Sequence, residues 1–374
     1  MKKVLNHEAI HRALTAQGMN QRQLADAVDA SAQAVTNWLS GRDFPRPASL
    51  LKLATALSLN FDQLVNTRDP GRPVVAFRKK ANSKTTVAHL AKAESIGMLL
   101  KPLVKYLPEI QVLRSQIATP SVEYARLQIM VSQTRERLGL GESAELGYEH
   151  LIGEFKNCGA VLVPVLWGSK GNHENALHIG LPQEDVTFIF LNLDTHMEDF
   201  KFWMAHELAH VFTPQLCGSN EGEDFADAFA GALLYPRACA AKAYQDAISC
   251  RKDKILSVLL NEAEKHMISL NSVFREIQHY AKASGKAVLP VEETTIHATR
   301  NSLRGVLVSN ALFEASIPPS PERYIAASEN VFQSSFFHAL KHMIVEDGTG
   351  ASYIQQVLNT SLQDAFALHE TLRH

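Results

Sequence analysis

His206-Glu207-Leu208-Ala209-His210 sets two imidazoles four residues apart, with a carboxylate beside the first. On a helix, residues i and i+4 lie on one face a turn apart, so both rings aim at one point. A zinc ion (Zn2+) held there polarises a water, and Glu207 can take the water's proton as general base. Five residues alone do not decide the matter, because a packed helix with two unrelated histidines has the same spelling.

A second segment lowers that alternative. Glu223 to Pro236 reads as another helix, which Ser219 or Asn220 can start and Pro236 marks as ended. Ala226, Phe229, Ala230, Leu233 and Leu234 form its inner face, and the two alanines let helix backbones approach closely. Glu223, at its start, can supply a third metal ligand. Asp227, one turn on, can orient a ligand histidine through the ring N–H. Three protein ligands leave one position open for water, as catalysis needs, whereas a structural site wants a fourth ligand. Cys217, between the two helices, is the candidate for that fourth ligand. Cys217 or Cys158 is also a candidate inhibitory thiol, capping the metal as thiolate. His173, His178, His196 and Tyr235 can be drawn as oxyanion stabilisers, but surface histidines and a packed tyrosine are the plainer readings.

These segments need a scaffold. Phe200, Trp203, Met204, Leu208 and Val211 give the first helix an apolar face. Gly159 to Trp167 and Val186 to Leu193 read as strands ahead of it. From Thr86 to about Asn157 the pattern is helical, with Leu99, Leu100, Leu103, Val104 and Leu107 as one core stripe. Strands set among helices make the class α+β, mostly α. Ile268 to Ile277 suggests a capped helix. Ile317-Pro318-Pro319-Ser320-Pro321 is a break, and residues 322–372 look all-helical. Tyr353 to Leu362 has a helix, turn and capped helix, short of Arg and better suited to interaction or dimerisation than to a second DNA reader.

The first part of the chain is different. Leu14, Leu24, Val28, Val35, Trp38, Leu39, Leu50, Leu53, Leu57 and Leu64 recur as in packed short helices. Asn20 can cap a helix from about 21 to 27, and Ser31 a second to about Ser40, closed by Gly41. This is a helix-turn-helix pattern, whose second helix can enter a major groove. Residues 1–80 hold twelve Lys/Arg against six Asp/Glu, while the whole chain has net charge -2. An anion partner is thus expected for the first part only. Asp69-Pro70-Gly71-Arg72-Pro73 reads as a linker, and Arg78-Lys79-Lys80 as its solvated basic continuation.

The stretch from Asn20 to Gly41 resembles the XRE/Cro-type repressor family over roughly the first sixty-five residues. By position, that resemblance implies that Ala32, Gln33, Thr36 and Asn37 face bases and that Gln21 meets a phosphate. The amides of Gln33 and Asn37 can then read adenine, with Arg22, Arg42 and Arg46 on the backbone. His206 to His210, followed by Glu223 and by Ala226 to Pro236, resembles the ImmA/IrrE metallopeptidase family over about residues 120–280. Ala209 stands where that family usually has Gly. This second resemblance implies a zincin-like domain with zinc on His206, His210 and Glu223, and Glu207 as base. The implied activity is a zinc endopeptidase that cuts a repressor or similar regulator in stress response, mobile-element control or phage defence.

The 374 residues, 46% hydrophobic and 20% charged, exclude a mainly disordered chain. The four cysteines include no CxxC pair, and no apolar run reaches membrane-spanning length. A cytoplasmic protein without a membrane segment is therefore expected. The expected organisation is a five-helix helix-turn-helix domain over 1–68 and a linker over 69–85. A zinc metallopeptidase domain with a helical lead-in and a small sheet follows over 86–280, then a helical regulatory or interaction region over 281–374. Expected partners are double-stranded operator DNA, a protein substrate such as a repressor, and a second copy in a homodimer. The competing expectation is a non-proteolytic repressor or antitoxin that uses the zinc fold as a scaffold.

Overall fold

Asparagine caps start three of the five helices described in the first unit. The Asn20 side chain accepts from Gln23 N while Gln23 caps Asn20 N in return, and Asn60 and Gln63 repeat the device. The computed structural model describes residues 2–39, 43–68, 72–77, 87–109, 116–168, 175–303, 305–314 and 318–374. The chain divides into Met1–Arg72 and Pro73–His374.

The first unit runs β1 (Lys2–Leu5), α1 (His7–Ala16), α2 (Gln21–Ala27), α3 (Ala32–Leu39), α4 (Pro47–Leu57), α5 (Phe61–Leu64) and β2 (Val65–Arg68). Ile10, Leu24, Ala25, Val28, Val35, Trp38, Leu50, Leu53, Leu57 and Leu64 close its core. Unlike the sequence expectation, the helices are flanked by an antiparallel pair: β1 meets β2 from Lys2↔Arg68 to Leu5↔Val65. Four-residue strands carry too little alternation to be read without their partner. The expected end of the recognition helix at Ser40 and Gly41, with Arg42, lies outside the described residues.

The second unit opens with β3 (Val74–Phe77), α6 (Val87–Leu100), a 3-10 helix (Lys101–Tyr106), α7 (Tyr124–Arg137) and α8 (Tyr148–Asn157). Three strands follow, β4 (Ala160–Val165), β5 (Ala176–Leu181) and β6 (Val186–Asn192), then α9 (Met197–Phe212) and α10 (Asn220–Leu234). Strand order is β3-β5-β6-β4; β4 and β6 are parallel and the other pairs antiparallel. β3 departs from the expectation of a linker over 69–85. Val74 and Val75 favour extended backbone, and the inner strand β5 offers them a hydrogen-bonding edge. Residues 78–80 of that linker are not among those described.

The sheet is covered on both faces. On one, Ile179 of β5 presses on α6 so closely that a Cβ on Gly97 would stand 3.0 Å from its Cγ2. On the other lies α9, against β5 and β6. The rest is helical: α11 (Arg237–Ser249), α12 (Ile255–His266), α13 (Leu270–Ala283), α14 (Glu293–Ser302), α15 (Val308–Phe313), α16 (Pro321–Asn330), α17 (Phe336–Asp347), α18 (Ala351–Leu358) and α19 (Leu362–Arg373). The last four pack into the same core as the sheet. Tyr324 and Ser334 donate hydroxyls to the carbonyls of Pro164 and Leu162 on β4, and Trp167 Nε1 donates to Leu358 O at 2.8 Å. Ile354, Val357, Leu358, Ala365 and Leu368 on the α18–α19 pair are buried in that core. Among the described residues, no helix is long and apolar enough to cross a membrane.

Candidate functional site

α9 is buried nearly all round, from Phe200 through Phe212, as a helix between a sheet and other helices must be. Its neighbour α10 starts where the Ser219 hydroxyl accepts from Gly222 N at 3.0 Å. Ala226 and Ala230 have no exposed surface and allow the helices to close, while Phe229 meets Phe212 edge-on at 6.0 Å. This pairing brings the start of α10 against the last turns of α9.

His206, His210 and Glu223 converge there. His206 Nε2 is 3.2 Å from His210 Nε2 and 3.5 Å from Glu223 Oε2, and His210 Nε2 is 3.3 Å from Glu223 Oε1. Donor atoms around a tetrahedral zinc with bonds of about 2.0–2.1 Å stand about 3.3 Å apart. Each of the three separations is near that value, the two from Glu223 being counted to different carboxylate oxygens. His206 Nδ1 donates to Asp227 Oδ1 at 3.0 Å. A carboxylate only accepts, so this bond fixes the proton on Nδ1 and turns the Nε2 lone pair to the centre. Two imidazole nitrogens 3.2 Å apart need a proton or a cation between them.

The electrostatics favour a cation. Burial works against charge on His206, but its hydrogen bonds to the Asp227 and Glu223 carboxylates raise its pKa to about 9. Burial likewise works to raise Glu223, and the two histidines bring it down to about 2. His206 and His210 are almost completely buried, as is Glu207; Glu223 keeps 18% and Asp227 34% of its side chain exposed. Among the described residues, His210 Nδ1 and Glu207 Oε2 have no hydrogen-bond partner.

One further neighbour comes from the sheet. The sequence favours a surface position for His178, but it is buried on β5, its Nδ1 3.6 Å from Glu207 Oε2 and its ring edge-on to His210. Burial lowers its pKa against the pull of Glu207. A strand between two recognised strands would have revealed it, since alternation from Leu177 and Ile179 turns His178 to the opposite face. The other candidates lie elsewhere. His196 precedes α9 and bonds Gly305 O through Nδ1 at 2.7 Å. The Tyr235 hydroxyl donates to Glu262 at 2.8 Å. His173 is outside the described residues. Cys217 and Cys158 are buried, but neither belongs to the metal-ligand group found among the described residues; Cys158 pairs with Glu154 at the end of α8.

In the first unit, the Ser31 hydroxyl accepts from Ala34 N at 3.1 Å and starts α3. Val35 and Trp38 turn inward, leaving Ala32, Gln33 and Thr36 exposed and Asn37 half-buried. Gln33 Nε2 donates to Asn37 Oδ1 at 2.9 Å, tying the two amides together on one face. Gln21, Arg22 and Arg46 are exposed, at the first turn of α2 and at the cap of α4.

Residues 10–64 match the family described as helix-turn-helix. The helix-turn-helix, of XRE type, spans α2 and α3 with their supporting helices and supports a DNA-binding regulator. No curated protein and no solved structure matches the chain.

Proposed function

We propose that the chain is a DNA-binding regulator whose second unit is a zinc-dependent endopeptidase of zincin type, acting on a repressor or related regulator. The observation that carries this reading is the set of 3.2, 3.3 and 3.5 Å separations among His206, His210 and Glu223, with a carboxylate at 207 beside them. His206, His210 and Glu223 would hold the ion, and Asp227 orients His206. Bound zinc supplies a Lewis acid that makes water acidic near neutral pH and polarises a peptide carbonyl. The Glu207 carboxylate accepts the proton of the attacking water and returns it to the departing amine nitrogen. The rings of Phe202 and Trp203, 6.4 and 5.8 Å from that of His206, help to exclude bulk water, which strengthens each of these interactions. The helix-turn-helix would bring this chemistry to an operator, with two copies reading a palindrome.

Enclosure favours a second reading. Glu207 is 1% exposed, so a peptide reaches it only after part of the wall moves. In a non-proteolytic repressor or antitoxin, the same metal would simply tie α9 to α10. Glu207→Gln separates the two readings. Zinc-loaded wild type and variant are incubated with lysate of the source organism, and new protein N-termini are labelled. The peptidase reading expects cuts made by wild type and absent with Glu207→Gln, with metal content and DNA binding equal. Identical sets of termini would favour the scaffold.

A further inference from the structure

We propose that His178 is a positioning residue for Glu207, a functional side chain delivered by the sheet rather than by the two metal-binding helices. This rests on the metal-centre reading above. β5 presents Leu177, Ile179 and Leu181 to one face and Ala176, His178 and Gly180 to the other. Ile179 meets α6, so His178 is turned to α9. The strand cannot slide, because it is paired on both sides: His178 stands opposite Ala76 of β3 and Ile189 of β6.

Two buried polar atoms face one another there. His178 Nδ1 and Glu207 Oε2 are 3.6 Å apart, and among the described residues neither has a hydrogen-bond partner. A histidine retained only for packing normally has its ring nitrogens satisfied by neighbours, since an orphaned buried donor is costly. For His178 Nδ1 the facing polar group is the Glu207 carboxylate. A shift of about 0.6 Å closes the gap to a hydrogen bond. Gly180 leaves room on the other side of the ring, for even a Cβ there would stand 4.0 Å from His178 Nε2. With Nδ1–H donated to Oε2, the carboxylate is held in one rotamer and its other oxygen stays available for the proton of water. Among the described residues, the charged or titratable groups acting on the pair are His206 and His210 on α9 and Glu223 on α10, with Asp227 behind them on His206 Nδ1.

The test uses the full chain loaded with cobalt(II), whose visible bands report the ligand field without any substrate. Asparagine places an amide near Nδ1, phenylalanine keeps the ring without a donor, and glutamine moves the amide towards Nε2. Wild type, His178→Asn, His178→Phe and His178→Gln are titrated with pH, with Glu207→Gln as the reference lacking the carboxylate. All should bind about one cobalt per chain. The spectral midpoint should move by about half a pH unit or more in His178→Phe and return to the wild-type value in His178→Asn. His178→Gln should behave like His178→Phe and stands in for it if the Phe chain does not fold. A superimposable wild-type and His178→Phe profile, or equal shifts in Asn and Phe chains, overturns the assignment while leaving the metal centre intact. A wild-type chain that takes up no cobalt overturns both, and the stoichiometry tells the two failures apart.

Discussion

Asp227 offers the sharpest perturbation of the proposed centre, because it touches a ligand and not the ion. Its Oδ1 accepts from His206 Nδ1 at 3.0 Å and fixes the tautomer that aims Nε2 inward. Removing such a partner typically costs 10–100-fold in metal affinity, or about 1.4–2.7 kcal/mol. Asp227→Ala should fall in that range. Asp227→Asn should lose less, since its amide oxygen still accepts the proton. Zinc affinity is measured by competition with a chromophoric chelator at fixed pH and salt, with melting of the metal-free chains as the control for folding. Proton competition adds a second signature. In the metal-free fold His206 stays protonated up to about 9, so zinc must displace that proton and wild-type affinity should rise as pH approaches 9. Without Asp227 the raised pKa falls and this slope should flatten. An Asp227→Ala chain that binds zinc within about twofold of wild type, with the same pH slope, would refute the orienting role.

Three further perturbations address other parts of the chain. Gln33→Ala, or Asn37→Ala, should weaken binding to an in vitro selected operator by about 1–3 kcal/mol by fluorescence anisotropy, with metal content untouched. Because the two amides are hydrogen-bonded, the double variant should cost less than the sum. Gly222→Ala would bring a Cβ to 2.2 Å from the backbone oxygen of Leu216 at the turn that carries Glu223. It should lower stability by about 1–3 kcal/mol and weaken zinc binding, whereas Gly153→Ala, with nothing within 4 Å, should stabilise by up to about 1 kcal/mol in denaturant titrations. Lys201 is buried, donates to His266 O at 2.7 Å, and is lowered by burial to about 8, against 10.5 ordinarily. Between those values the unfolded chain binds more protons, so this residue makes stability rise with pH. The stability of wild type relative to Lys201→Met should therefore grow by about 2 kcal/mol from pH 8 to 9.5 in denaturant titrations, and parallel curves would contradict the buried-lysine account.

The helices that bear the motifs were legible because their signals are local. Asn20 and Ser31 cap where their spelling indicated, and Ser219 starts α10 so that Glu223 and Asp227 fall on one face. The strands at 160–165 and 186–192 showed as continuous apolar runs. β5 did not, because the polar Asn172-His173-Glu174-Asn175 leads into it and His178 interrupts its apolar residues. Its burial depends on pairing with β3 and β6 and on covering helices remote in sequence. β3 and the β1–β2 pair were hidden for the same reason: four residues become a strand only when a distant edge is there to receive them. The last helices were seen as helices, but their docking on β4 through Tyr324 and Ser334 was not, since those hydroxyls have no local partner to suggest it.

The central claim is that His206, His210 and Glu223 jointly grip one divalent ion. Metal analysis by mass spectrometry on full-length chains, loaded with zinc and dialysed together, tests it most directly. Wild type and Glu207→Gln should hold about one zinc per chain, and His206→Ala, His210→Ala or Glu223→Ala near none. A folded wild-type chain that cannot be loaded, or ligand variants that keep their zinc, would contradict it.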